Sequence, residues 1–144
     1  MDDTGADQED SGVFETLSAQ ECAEMLTTTT VGRVGFASAN GQQILPVNFV
    51  FRDGSVLFRT TPHGVAAALL AGADDVAFEV DYHDDLYQLG WSVLLVGRTE
   101  RVTDPETVAE LSTRRRPNPW AAGERPAFVR LVPHVISGRR VSGH

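Results

Sequence analysis

Lysine is absent from this 144-residue chain: all 12 of its basic residues are arginine. That excludes a Schiff-base lysine and with it covalent pyridoxal phosphate chemistry. Any anionic ligand must be held by arginine, hydroxyls or backbone amides. Cysteine is nearly absent too. Cys22 stands alone, which excludes an intrachain disulfide and any Cys-rich zinc or iron–sulfur site. One free thiol fits a reduced, cytoplasmic setting. Apolar runs are only a few residues long, as at Val93–Val96, so no membrane-spanning helix is expected. The chain opens Met1-Asp2-Asp3 with no apolar stretch behind it, unlike a secretory signal. His63, His83, His134 and His144 show no ligand spacing, so no metal site is expected. The G-x-S-x-G nucleophile elbow, the P-loop and the G-x-G-x-x-G fingerprint do not occur. A net charge of −8 argues against a general nucleic-acid binder, which needs a basic face.

What is present suits one domain. Apolar residues make up 42% of the chain, enough for one core, and 22% are charged. Residues 1–12 are acidic and almost free of apolar side chains, and read as a disordered tail before a single domain over 13–144. Ser18 and Glu21 have capping-box spacing ahead of a short helix from Ala19 to about Leu26, with Cys22, Met25 and Leu26 as its apolar stripe.

The pattern then turns to strands: Val31–Ser38, Ile44–Arg52 and Ser55–Thr60, joined by Asn40-Gly41 and Asp53-Gly54 hairpin signals. Thr61 as N-cap and Pro62 at the first helical position predict a helix over His63–Ala71 ended by Gly72. A strand follows over Asp75–Tyr82, then a polar loop over His83–Leu89 and a long strand over Ser92–Thr103. Asp104-Pro105-Glu106 opens a helix to about Thr113, and Arg114–Gly123 reads as a loop. Pro126–Ile136 supplies the last strand, with Pro133 a candidate break and Ser137–Val141 a candidate continuation. The fold class is therefore mainly β: six antiparallel strands in a closed or half-closed barrel with short helices.

Chemistry concentrates in two places. In Arg59-Thr60-Thr61-Pro62-His63-Gly64 a strand ends in a guanidinium and two hydroxyls just as a helix is expected to begin. Arginine can grip a phosphate with two hydrogen bonds, and free amides at a helix start add to that grip. The plainer alternative is an exposed Arg59 and a Thr61 that only caps. In Gly90-Trp91-Ser92-Val93 the indole could wall a planar ligand, or be a core or rim tryptophan. The Gly138-Arg139-Arg140 pair could end a strand or reach a ligand or a partner subunit.

Several segments, in this order, resemble the pyridoxamine 5′-phosphate oxidase-like family of flavin-binding split β-barrels, in particular its small actinobacterial members. They are Leu45-Pro46-Val47-Asn48-Phe49, Val56-Leu57-Phe58-Arg59-Thr60, Val76–Asp81, Gly90-Trp91-Ser92-Val93 with Gly97-Arg98, Pro119-Trp120 and Gly138-Arg139-Arg140. The resemblance spans about residues 14–141. It implies a six-stranded split barrel and a homodimer with two flavin mononucleotide (FMN) sites at the subunit interface. It assigns Pro46, Val47 and Asn48 to the flavin ring edge, and Arg59, Thr60 and Thr61 to the phosphate. His63, Gly64 and Val65 follow in the same turn, and Trp91 and Ser92 come near the site, across the dimer or within one chain. Such proteins usually carry a lysine where this chain has Val65. Losing one charge-assisted contact costs about 1.5–3 kcal/mol, roughly one to two decades of affinity.

No side chain stands out as an acid or base, which suits chemistry led by a cofactor. Three functions are therefore open. The first is an FMN-dependent oxidoreductase acting on a small molecule. The second is a non-catalytic module carrying flavin, deazaflavin or haem. The third is a dimer whose site is empty.

Overall fold

The computed structural model describes residues 13–113 and 127–142. The tail over 1–12, the Arg114–Arg116 run and Pro119-Trp120 lie outside the described residues. Among these residues, seven strands and three helices follow one another. The strands are β1 (Val13–Thr16), β2 (Val31–Ser38), β3 (Gly41–Arg52), β4 (Ser55–Thr60), β5 (Val76–Asp84), β6 (Leu89–Arg101) and β7 (Ala127–Ser142). The helices are α1 (Ala19–Leu26), α2 (Ala67–Ala71) and α3 (Pro105–Ser112). None of these helices is long and apolar enough to cross a membrane.

All pairings are antiparallel, in the order β1-β7-β4-β3-β2-β5-β6, and β6 also pairs β7. The last pairing closes a six-stranded barrel from β7 round to β6. The short β1 is a seventh strand that the sequence pattern does not announce. It lies along the C-terminal end of β7, with Val13 opposite Ser142 and Thr16 opposite Arg139. Four residues carry too little periodicity to be read locally, and this strand exists through its distant partner.

Alternation along the strands fills the barrel. Val34, Phe78 and Leu95 form one inward row across β2, β5 and β6, all fully buried. Phe49 meets Phe78 edge to face, with ring centroids 4.9 Å apart at 73°. Helix α1 is held by the expected capping box between Ser18 and Glu21, and it buries Cys22 and Leu26. Asp104 caps α3 as expected, accepting from the Thr107 amide.

Three boundaries differ from the sequence reading. The expected loop over His83–Leu89 shrinks to a turn, because β5 and β6 pair as far as Asp84 opposite Leu89. Strand β7 runs through Pro133 to Ser142 without breaking. The ladder absorbs this proline as a bulge: Val96 pairs Val135 and Gly97 pairs Pro133, leaving His134 unopposed. The helix expected over His63–Ala71 begins only at Ala67. Thr61 does not cap it; its hydroxyl donates to the His63 carbonyl at 2.7 Å. Gly64 takes φ of +93°, a left-handed conformation that stops a helix from starting earlier. The expected helix-terminal amides over Thr61–His63 are therefore absent, and an open turn takes their place.

The bulge depends on a glycine. A Cβ at Gly97 would overlap the Val132 carbonyl oxygen and the Pro133 backbone, neither of which can rotate away. Gly97→Ala is expected to destabilise the fold by roughly 1–3 kcal/mol or more, the range for forced overpacking. Thermal unfolding followed by circular dichroism checks this, and an unchanged melting temperature would show that the seam can relax.

Candidate functional site

Strands β3 and β4 are paired only from the Arg52–Ser55 turn to Phe49 opposite Phe58. Beyond that point they part. The rest of β3 pairs with β2, while Arg59 and Thr60 stay bonded to β7 opposite Phe128 and Ala127. A pocket of about 410 Å³ opens in the gap. Leu45, Pro46 and Val47 form its β3 wall, and Arg59, Thr60 and Thr61 form its β4 wall. Val34, Phe58 and Leu69 line it from the barrel core, and the turn His63–Ala66 completes the rim.

Its size falls within the roughly 300–1,000 Å³ of ordinary cofactor sites. Its chemistry is lopsided: Arg59 is the only arginine or carboxylate among the lining residues, in a chain of net charge −8. The hydroxyls of Thr60 and Thr61 stand next to it in sequence. One guanidinium beside two hydroxyls, with an apolar wall opposite, fits a ligand with an anionic end and a flat, largely apolar body.

The pocket thus gathers Pro46, Val47, Arg59, Thr60, Thr61, His63, Gly64 and Val65. Asn48 does not line it; it is exposed and sits opposite Val31 at the start of β2. Trp91 and Ser92 do not line it either. Trp91 is partly buried against the core, opposite Arg140, and Ser92 is opposite Arg139. Thr60, at the pocket, is opposite Ala127, at the other end of β7. From residue 127 to residue 140 is thirteen steps along one strand, about 40 Å of contour. Within one chain the two candidate regions are therefore separate. Val34, Leu45, Phe58, Ala66 and Leu69 also line the pocket, although none of them is a candidate site residue in the sequence. The place of Phe58 at the gap follows from the topology, which no local pattern in the sequence records.

A second hollow, of about 370 Å³, adjoins the first. It lies between the β2–β3 turn and α2, and the two share Gly64 and Val65.

Outside the barrel, Ile44, Gly35, Ala77, Val96 and Val135 pair in turn across β3, β2, β5, β6 and β7. This is one continuous row of small and apolar residues, with Ile44 73% and Val135 48% exposed. The next row carries Arg33, Glu79 and Leu94. Arg33 bridges Glu79 at 2.9 Å and Asp81 at 3.6 Å. Partial burial and the neighbouring Asp81 push the Glu79 carboxyl up to about 7, against the pull of Arg33.

The order of strands and the gap between β3 and β4 define a split β-barrel. The comparisons agree. The family model described as pyridoxamine 5′-phosphate oxidase matches residues 18–140, and this chain belongs to that family. The uncharacterized protein Rv0080 of Mycobacterium tuberculosis is 34% identical over 129 residues, covering 87% of this chain and 84% of its own. The FAD-binding protein of Mycobacterium smegmatis superposes with a TM-score of 0.72 at 34% identity, covering 90% of this chain and all of its own. A putative pyridoxamine 5′-phosphate oxidase of Corynebacterium glutamicum superposes at 0.73 with 30% identity, over 91% of this chain and 95% of its own.

The raised carboxyl has a consequence for stability. The folded chain keeps a proton on Glu79 that the unfolded chain releases near 4.5, the ordinary value. The stability it contributes is present below about pH 4.5 and is lost as pH rises toward 7. Glu79→Gln is expected to flatten the pH dependence of the melting temperature between those values. A dependence unchanged by the substitution would assign it to other groups.

Proposed function

We propose that this chain is a homodimeric flavin-binding oxidoreductase of a small molecule. In this reading the pocket between β3 and β4 holds the flavin by its phosphate end. The observation that carries it is the pocket lining, where Arg59, Thr60 and Thr61 face an apolar wall. The FAD-binding relative at 34% identity supports a flavin as the ligand. Arg59 grips the phosphate as a fork and supplies fixed charge. Thr60 adds a hydroxyl donor, and Thr61, whose own hydroxyl donates to the His63 carbonyl, fixes the turn beside it. Pro46 and Val47 line the ring edge, and Val34, Phe58 and Leu69 keep water from its body. A bound flavin supplies the hydride or electron transfer, so the chain need provide no acid or base of its own.

Two features support a dimer. The row from Ile44 to Val135 is an apolar strip suited to burial against a second copy. Arg139 and Arg140, with Trp91 and Ser92 opposite them on β6, lie far along β7 from their own pocket, so they would complete the partner's site rather than their own.

A second reading rests on Val65, an exposed apolar side chain at the pocket rim where a cation would serve a phosphate. It makes the chain a carrier of flavin, deazaflavin or haem without turnover. Reduction of the bound flavin by a nicotinamide cofactor, followed by substrate-dependent reoxidation, decides for the enzyme. Stable colour without either step decides for the carrier.

The main reading is tested by titrating the protein with FMN and riboflavin while following flavin fluorescence. Arg59→Ala is expected to weaken FMN by about ten- to a hundredfold, the effect of one lost charge-assisted bond, and riboflavin much less. Equal losses would place Arg59 away from the phosphate, and no binding by the unaltered protein would sink the reading. Light scattering at micromolar concentration is expected to give twice the chain mass, 15.6 kDa. A monomer would remove the partner's contribution to the site.

A further inference from the structure

We propose that His63 is the second cation of the phosphate grip, so that the pocket holds a phosphorylated flavin tightly while this imidazole is protonated and loosens its hold as the imidazole discharges. The proposal rests on the flavin reading of the pocket and deepens it, by naming the group that answers the second phosphate charge and the condition that regulates it.

The need for such a group follows from charge. A phosphate monoester carries about two negative charges at neutral pH, and about one below its second ionisation at about pH 6. Arg59 answers one of them. The chain as a whole has a net charge of −8, so its general field does not answer the other. No lysine is available anywhere in the sequence. Val65, on the rim of the same turn, is apolar and 38% exposed. Among the lining residues one further side chain can become positive, and it is His63.

The turn is built to hold His63 at the rim. Its carbonyl accepts from the Thr61 hydroxyl at 2.7 Å, which ties together the backbone on either side of Pro62. Pro62 fixes its own φ in between. Gly64 then takes a left-handed φ of +93°, which keeps α2 from extending back over His63. The backbone of His63 is thus set four residues from Arg59, while its side chain stays exposed. The imidazole makes no hydrogen bond or ion pair among the described residues, so it is open to a ligand.

The surroundings leave its charge to the ligand. Val34 from β2, Leu45, Pro46 and Val47 from β3, and Leu69 from α2 bring only apolar side chains to the lining. Strand β4 brings Arg59 and the Thr60 hydroxyl, and the turn brings no carboxylate. A phosphate favours the charged form of an imidazole beside it. Binding and protonation are therefore linked. The extra affinity is present where histidine is charged and is lost as pH rises through the range of about 5 to 8 in which histidine ordinarily discharges.

The test measures FMN and riboflavin binding by flavin fluorescence from about pH 5.5 to 8.5, across the charge change of histidine. It uses the unaltered protein, His63→Gln and His63→Lys. The ratio of the two affinities isolates the phosphate, because a pH effect on the fold, such as the titration of Glu79, acts on both ligands. In the unaltered protein the ratio in favour of FMN is expected to rise about tenfold as pH falls from about 8.5 to 6.5, the effect of one charge-assisted bond made only by the protonated ring. His63→Gln is expected to abolish that rise, and His63→Lys to keep the high ratio up to the top of the range. Calorimetry at about pH 7.5, where the phosphate is already ionised, in two buffers of different ionisation enthalpy, is expected to show proton uptake on FMN binding by the unaltered protein and none by His63→Gln. A purely structural role for the turn would not produce that uptake. A ratio that ignores pH, or that rises equally in His63→Gln, would overturn the role of His63, while a preference for FMN that is lost in Arg59→Ala keeps the pocket's reading. If neither flavin binds at any pH, both proposals fall.

Discussion

A strand edge can serve one neighbour at a time, and the site follows from how β4 divides its two edges. One edge stays on β7 to the last residue of the strand, through Arg59 and Thr60. The other edge gives up β3 after Phe58, because β3 continues on β2. The parting places unlike walls across a gap: the apolar residues of β3 on one side, a guanidinium and two hydroxyls on the other. The arginine is held by a strand inside a closed barrel, so its backbone is fixed before any ligand arrives, which lowers the ordering cost of binding.

The seam between β6 and β7 makes this possible. Without it the six strands would form an open sheet with two exposed edges. The seam is long, and the bulge at Val96 and Gly97 lets β7 carry a proline while it still pairs at both ends. Beyond the bulge β7 has room for β1 on its free side, and α1 packs on the same region, with Cys22 close to Gly138. The N-terminal segment is thereby tied to the C-terminal strand, although the two lie at opposite ends of the sequence.

Local chemistry in the sequence reveals much of this. Alternation at Val76, Phe78 and Val80 marks β5, the Asp53-Gly54 pair marks the β3–β4 turn, and Ser18 with Glu21 marks the start of α1. The class of the barrel follows from counting such strands, and Arg59 to Thr61 stand out as donors. What escapes notice is non-local. The strand β1 exists only through β7. Thr61 and Pro62 carry a sound capping signal, but Gly64 three residues later places the chain in a left-handed turn, and α2 starts beyond it. The distance between Trp91 and Arg59 is a matter of which strands pair, and no local pattern records it.

The position of β7 also sets an order on folding. Emerging from the ribosome, the chain presents β2 to β6 long before β7 exists, and β1 has nothing to pair with until then. Until Ala127–Ser142 is made, β4 and β6 each lack a neighbour on one edge, and the β4 wall of the pocket is held only through the β3–β4 hairpin. Barrel closure is a late, long-range event, of the kind that folds slowly and leaves intermediates open to strand addition by other chains. Removal of Arg139–Ser142 would strip β1 from the sheet and unzip the start of β6, so the end of β7 holds both together.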